Sequence, residues 1–84
     1  MEMSYEKVEQ AKKTIIGTKQ AVKAIRAGIV IEIIIAQDAE ERIIAPVMEE
    51  AKLRDIQVTY VDSRDKLGNA CGIQVGAAVV AITD

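Results

Sequence analysis

The apolar positions of this chain fall into two rhythms. From Ile29 to Ala36 every residue but Glu32 is apolar, and most are β-branched. Such a run predicts a strand buried on both faces, central in a sheet covered by helices. Ile56 to Val61 alternates apolar and polar residues and predicts a second long strand. Thr14-Ile15-Ile16, closed by Gly17, predicts a brief one. Gly76 to Thr83, built of small residues, predicts the last. Between these runs the period lengthens to that of a helix. Residues 5–13 carry Val8 and Ala11 three apart among charges. Residues 18–27 turn Val22 and Ile25 inward, with Thr18 as N-cap and Gly28 as the C′ residue. Residues 40–53 turn Ile43, Ile44, Val47, Met48 and Ala51 inward, with Asp38 as the cap. Pro46 within that span demands a kink or a later start. Ser63 caps a short helix over 64–70. Helices and strands alternate without a tandem repeat or a linker. The fold class that follows is α/β: a three-layer α-β-α sandwich around a mixed sheet of about four strands, in one domain over residues 1–84. The pattern leaves the strand order open.

Composition narrows the setting. Half of the 84 residues are hydrophobic, enough for a core. Cys71 is the single cysteine, so no internal disulfide forms, and a reducing, cytoplasmic location is expected. The longest apolar runs, Ile29 to Ala36 and Gly76 to Ile82, fall far short of the roughly 18 residues of a membrane span. The polar start, Met1 to Glu6, has no signal-peptide character.

The net charge of −2 is unevenly spread. Residues 1–28 carry six Lys/Arg against three Glu; residues 29–56 carry three against seven acidic residues. Within the basic part, Lys19, Lys23 and Arg26 lie at i, i+4 and i+7 and share a helix face. Two of them crowd the front half of the helix, where the dipole favours anions. Like charges at this spacing also cost an isolated helix about 0.2–0.5 kcal/mol. Cations and open backbone N–H groups at Gly17-Thr18-Lys19-Gln20 suit a phosphate-bearing ligand. The plainer reading is a solvated basic face.

Much chemistry is missing. There is no histidine, and one cysteine cannot build a Cys/His zinc site. No catalytic constellation, metal site or cofactor motif is present, so no enzyme is expected. Gly17-Thr18-Lys19 lacks the upstream glycine of a phosphate loop; that place is Lys12. Cys71, between Ala70 and Gly72, reads as a packed thiol. Gly68, Gly72 and Gly76 read as turn and close-packing positions. Asp38, Glu40 and Glu41 read as carboxylates complementing a helix start. Tyr5 and Tyr60 are the only aromatic residues. A reader that stacks single-stranded bases on aromatic rings is therefore disfavoured.

Three blocks carry a resemblance. They are Gly17-Thr18-Lys19-Gln20-Ala21-Val22-Lys23-Ala24-Ile25, Ile35-Ala36-Gln37-Asp38-Ala39-Glu40, and Lys66 through Ala78 (Lys-Leu-Gly-Asn-Ala-Cys-Gly-Ile-Gln-Val-Gly-Ala-Ala). In this order and spacing the chain resembles the L-seven-Ae family of ribosomal proteins, the kink-turn RNA binders, and most of all its short Gram-positive bacterial members. The resemblance runs from about residue 5 to 83. It implies an α-β-α sandwich that binds a sharply bent RNA beside tandem sheared G·A pairs. By that likeness Gly17, Thr18, Lys19 and Gln20 face base edges in the major groove. Lys23 faces a base or phosphate, and Arg26 continues the basic face. Glu40, Ile44 and Arg64 match positions near an extruded bulge nucleotide. Ile73, Gln74 and Val75 match a loop covering it. Many archaeal and eukaryotic members have Asn-Glu where this chain has Lys19-Gln20. Gln20 keeps an acceptor without the charge, and Lys19 adds a cation while losing one.

The resemblance implies a monomeric RNA-binding protein, ribosome-associated or regulatory. Its partner would be ribosomal or riboswitch-like RNA containing a kink-turn, without membrane or cofactor. The acidic middle third supports a different reading, a small module that docks a protein partner.

Overall fold

The computed structural model describes residues 3–83. Met1 and Glu2 of the polar start, and Asp84, lie outside the described residues. The elements in chain order are α1 (Met3–Gln10), β1 (Thr14–Ile16), α2 (Thr18–Arg26), β2 (Glu32–Ala36), α3 (Glu41–Leu53), β3 (Gln57–Val61), α4 (Arg64–Ala70) and β4 (Val79–Ile82). The strands form one mixed sheet in the order β1-β4-β2-β3. β4 runs antiparallel to both of its neighbours, while β2 and β3 are parallel.

The strand pleat divides the core in two. Ile33 and Ile35 of β2, with Val79 and Ala81 of β4, pack against Ala21 and Ile25 of α2 and Val47 of α3. Ile34 and Ala36, with Val80 and Ile82, pack on the other face against Val8 of α1 and Leu67 of α4. The sheet thus lies between an α2/α3 layer and an α1/α4 layer, the three-layer sandwich expected from the alternation. Continuous burial along β2 and β4 requires the apolar runs read from the sequence.

Several boundaries differ from expectation. β2 starts at Glu32 rather than Ile29, because the chain is still leaving α2. Gly28 donates to the Ile25 carbonyl at 3.0 Å and Ile29 to the Ala24 carbonyl at 3.3 Å. This double bond pattern closes the helix with Gly28 at C′, as read. Ile29 and Ile31 are consequently about half exposed. α1 ends at Gln10, short of residue 13, with a last turn closed by Ala11 donating to the Lys7 carbonyl at 3.0 Å. α3 runs unbroken through Pro46, which is exposed and removes only the bond to the Arg42 carbonyl. In α2, Ala21 and Ala24 are buried with Ile25, while Val22 is only half-buried.

Two polar clusters fasten the outer layers. Glu32 Oε2 accepts from Thr59 Oγ1 at 2.6 Å and from Lys7 Nζ at 3.1 Å, tying α1 to the start of β2. Tyr5 Oη donates to Asp62 Oδ1 and accepts from the Ser63 amide at 3.2 Å, tying α1 to the start of α4. The Tyr5 hydrogen bond, with help from Lys66, holds the Asp62 carboxyl below its ordinary range against a smaller opposing effect of desolvation. A depressed carboxyl pKa stabilises the fold above the unfolded value, and that stability fades as acid protonates the group.

Ile34 is fully buried, whereas Ile31, three residues away, is 56% exposed. Ile34→Ala should therefore destabilise by about 2–5 kcal/mol, and Ile31→Ala by a small fraction of that, in urea unfolding.

Candidate nucleic-acid interface

The antiparallel placement of β4 brings four connections to one end of the sheet. There β1, β2 and β3 finish and β4 begins: Ile16 faces Val80, Ile35 faces Val79, and Ala36 faces Val61. Gly17 leads from this end into α2. Residues 37–40 lead into α3, residues 62–63 into α4, and residues 71–78 return from α4 to β4. Gly17, Thr18, Lys19, Gln20, Glu40, Arg64, Ile73, Gln74 and Val75 therefore share this end. Lys23 and Ile44 lie one turn into their helices. Arg26, the last residue of α2, is about 12 Å along the axis from Thr18, toward the opposite end.

The start of α2 is open. Gly17, not Thr18, is the N-cap, at φ 108° and ψ 151°, a region essentially reserved for glycine. Its amide donates to the Val79 carbonyl at 3.0 Å, and its carbonyl accepts from Ala21 at 2.9 Å. The chain has thus turned one residue before the threonine that local propensity favoured. Among the described residues no side chain caps the helix, and the amides of Thr18, Lys19 and Gln20, lying in its first turn, have no intrahelical acceptor. Lys19 and Lys23 are exposed and make no ion pair among the described residues.

The basic face is not uniform. Arg26 pairs with Glu50 of α3 at 3.2 Å, and Arg54 Nη1 reaches the Arg26 carbonyl at 3.5 Å. Two cations at the front of α2 are thus available, and the third is engaged with α3. Between α2 and α3 runs an open groove of about 510 Å³, with Val22, Ile43 and Pro46 as its apolar lining and Lys19 and Lys23 among its polar wall.

The other three connections are tied to one another. Asp38 does not cap its own helix. α3 begins after Glu40, and Asp38 Oδ1 instead accepts from the Arg64 amide at 2.9 Å, at the first residue of α4. The reason is position: Asp38 lies two residues ahead of the α3 N-cap and faces the end of a neighbouring helix. Ser63 caps α4 as expected, accepting from the Lys66 amide at 3.3 Å. The Arg64 carbonyl accepts from Ala77 at 2.9 Å. Among the described residues Glu40 pairs only with exposed Arg42, at 3.1 Å, an arrangement worth little in water. Ile44 is partly buried against the α2/α3 core, which limits how much of it faces outward.

The loop after α4 rests on Gly68. A Cβ there would lie 2.0 Å from the Val75 carbonyl oxygen, and the Gly68 carbonyl accepts from Ile73 at 3.1 Å. Gly68 is thus a close-packing position, as its spacing suggested. Ile73 anchors the loop against the α1/α4 core, while Gln74 and Val75 turn outward, Val75 being 71% exposed. Cys71 packs beneath, and burial pushes its thiol pKa up, as for a packed rather than nucleophilic cysteine.

An uncapped, lysine-bearing helix start therefore stands beside a braced turn and a loop with an exposed apolar residue. A model of the ribosomal protein L7Ae/L30e/S12e/Gadd45 family matches residues 1–84. The chain belongs to this family. It is 60% identical over 80 residues to an RNA-binding protein of Geobacillus sp. (strain WCH70), covering 95% of this chain and 98% of that one. It is 55% identical, over the same shares, to the RNA-binding protein YbxF of Geobacillus stearothermophilus. A 37% identical match to large ribosomal subunit protein eL8 of Halobacterium salinarum covers 79% of this chain and 56% of that protein. Among solved structures, the Giardia lamblia 15.5kD RNA binding protein superposes with a TM-score of 0.82 over 95% of this chain and 68% of that one. At 24% identity that likeness concerns the fold. In this L7Ae-family member, Lys19 and Gln20 both stand exposed in the open first turn of α2.

Gly68→Ala should force the 73–76 loop off α4. The expected cost is about 1–3 kcal/mol in chemical denaturation, with shifted Ile73 and Ala77 amides in NMR spectra. Asn69→Ala, at an exposed position of the same helix, should change neither.

Proposed function

We propose that this L7Ae-family chain is an RNA-binding protein that recognises the kink-turn, acting as a monomeric, single-domain cytoplasmic component of a ribosomal or regulatory ribonucleoprotein. One observation carries the reading: the open amides of Thr18, Lys19 and Gln20, with Lys19 and, one turn on, Lys23, neither in an ion pair among the described residues, stand beside Glu40, Arg64 and the 73–75 loop. The RNA-binding relatives at 60% and 55% identity support the ligand class.

The chemistry of a kink-turn suits this end. A sharp bend crowds phosphates, and sheared G·A pairs present guanine O6 and N7 as acceptors in the major groove. Backbone N–H groups at a helix start and lysine ammonium groups are donors that match both. The exposed Val75 side chain offers an apolar surface to a nucleotide extruded from the bulge. The acidic remainder of the chain opposes diffuse attachment to phosphate, because non-specific affinity grows with the number of phosphates neutralised. Selectivity then comes from the shape of one RNA element rather than from bulk charge.

The test is binding to a kink-turn RNA and to a copy whose G·A pairs are replaced by Watson–Crick pairs, at one fixed salt concentration. The replacement should weaken binding by about tenfold or more, since each wrong pair in a recognised site costs roughly 1–3 kcal/mol. Equal affinity for both RNAs would refute kink-turn recognition.

A further inference from the structure

We propose that Asp38 is a positioning residue that sets the capture of an extruded nucleotide, an inference that rests on the kink-turn reading above. Asp38 belongs to a closed ring of hydrogen bonds across the site end. The Ala36 amide donates to the Ala78 carbonyl at 2.9 Å. The neighbouring Ala77 amide donates to the Arg64 carbonyl, also at 2.9 Å. The Arg64 amide donates to Asp38 Oδ1 at 2.9 Å, and Asp38 returns the path to Ala36 through the chain. Of these three bonds only the last uses a side chain, so it alone depends on residue identity.

The ring sets the spacing of a particular group. Glu40 follows Asp38 by two residues, Arg64 is held at both its amide and its carbonyl, and Val75 precedes Ala77 by two. These three side chains belong to the group matched to the unpaired nucleotide. α2 lies outside the ring, because Gly17 attaches to Val79 instead. Loss of Asp38 therefore loosens the nucleotide-capturing group and leaves the major-groove reader in place. A carboxylate suits the role: it makes a charge-assisted bond to the first amide of a helix, where the helix dipole favours negative charge. Among the described residues Asp38 makes no ion pair, and the Arg64 amide is the partner that gives its charge a structural purpose.

The experiment compares wild type, Asp38→Ala, Asp38→Asn and Lys23→Ala on a kink-turn RNA and on the same RNA with the extruded nucleotide made abasic. Asp38→Ala should bind the intact RNA about tenfold more weakly, the scale of one lost charge-assisted hydrogen bond, and the abasic RNA as wild type does. Asp38→Asn, whose amide oxygen still accepts from Arg64, should recover most of the loss. Lys23→Ala should lose equally on both RNAs, since its contact lies elsewhere. In NMR spectra of the free Asp38→Ala chain, the Arg64 and Ala77 amides should shift while those of α2 stay in place.

Equal losses for Asp38→Ala on both RNAs, no loss at all, or failure of both Asp38 variants to fold would overturn the role given to Asp38. If wild type binds a kink-turn no better than a copy lacking its G·A pairs, the functional reading falls and this inference with it. The two failures are thus distinct.

Discussion

The insertion of β4 antiparallel between β1 and β2 is the constraint on which the rest of the structure depends. β4 is buried on both faces, so its register decides which side chains enter which half of the core. A slip of one residue would exchange Val79 and Ala81 with Val80 and Ile82 between the two helical layers. Its direction matters as much as its register. Because it runs against β1 and β2, it begins where they end, and the loop from α4 meets the starts of α2 and α3 at that end. A parallel β4 would begin at the other end and separate the loop from the helix it accompanies.

The two ends of the sheet therefore differ in kind. At the far end, polar groups find partners within the chain: Glu32 with Lys7 and Thr59, and Arg26 with Glu50. At the near end Asp38, Glu40 and Asp62 are engaged as well, but the first-turn amides of α2 and, among the described residues, the charges of Lys19 and Lys23 are left open. Gly17 links these properties, since its unusual backbone joins α2 to β4 without spending a side chain on capping. The contrast explains how a chain of net charge −2 can present a locally cationic surface suited to a polyanion.

Much of this was legible in the residues. Burial on both sides made β2 visible as a continuous apolar run, and half-burial made β3 visible as alternation. Gly28 and Ser63 announced their helix ends because capping is a local interaction. Gly68 declared close packing through its spacing with Gly72 and Gly76, though not what it packs against. The parts that were not legible are those settled at a distance. Strand order depends on pairings between residues far apart in the chain. Asp38 looked like a cap for α3 because its true partner, the Arg64 amide, is brought to it only by the parallel β2–β3 pairing. Arg26 looked like an equal member of the basic face because Glu50 comes from another helix. The start of β2 is not legible because apolarity alone does not distinguish Ile31, outside the strand, from Ile33 within it. The site residues were grouped by resemblance, and the fold supplies the physical cause of their grouping.

On the proposed function, four separate connections at one sheet end act as a single RNA-reading surface. Titration of the isotopically labelled chain with a kink-turn RNA, followed residue by residue through backbone amide resonances, tests it most directly. Amides of residues 17–23, 37–44, 64 and 73–75 should shift together, with one common affinity, while those of Glu32 and residues 53–57 stay in place. Shifts confined to α2, or centred on the Glu32 end, would contradict it.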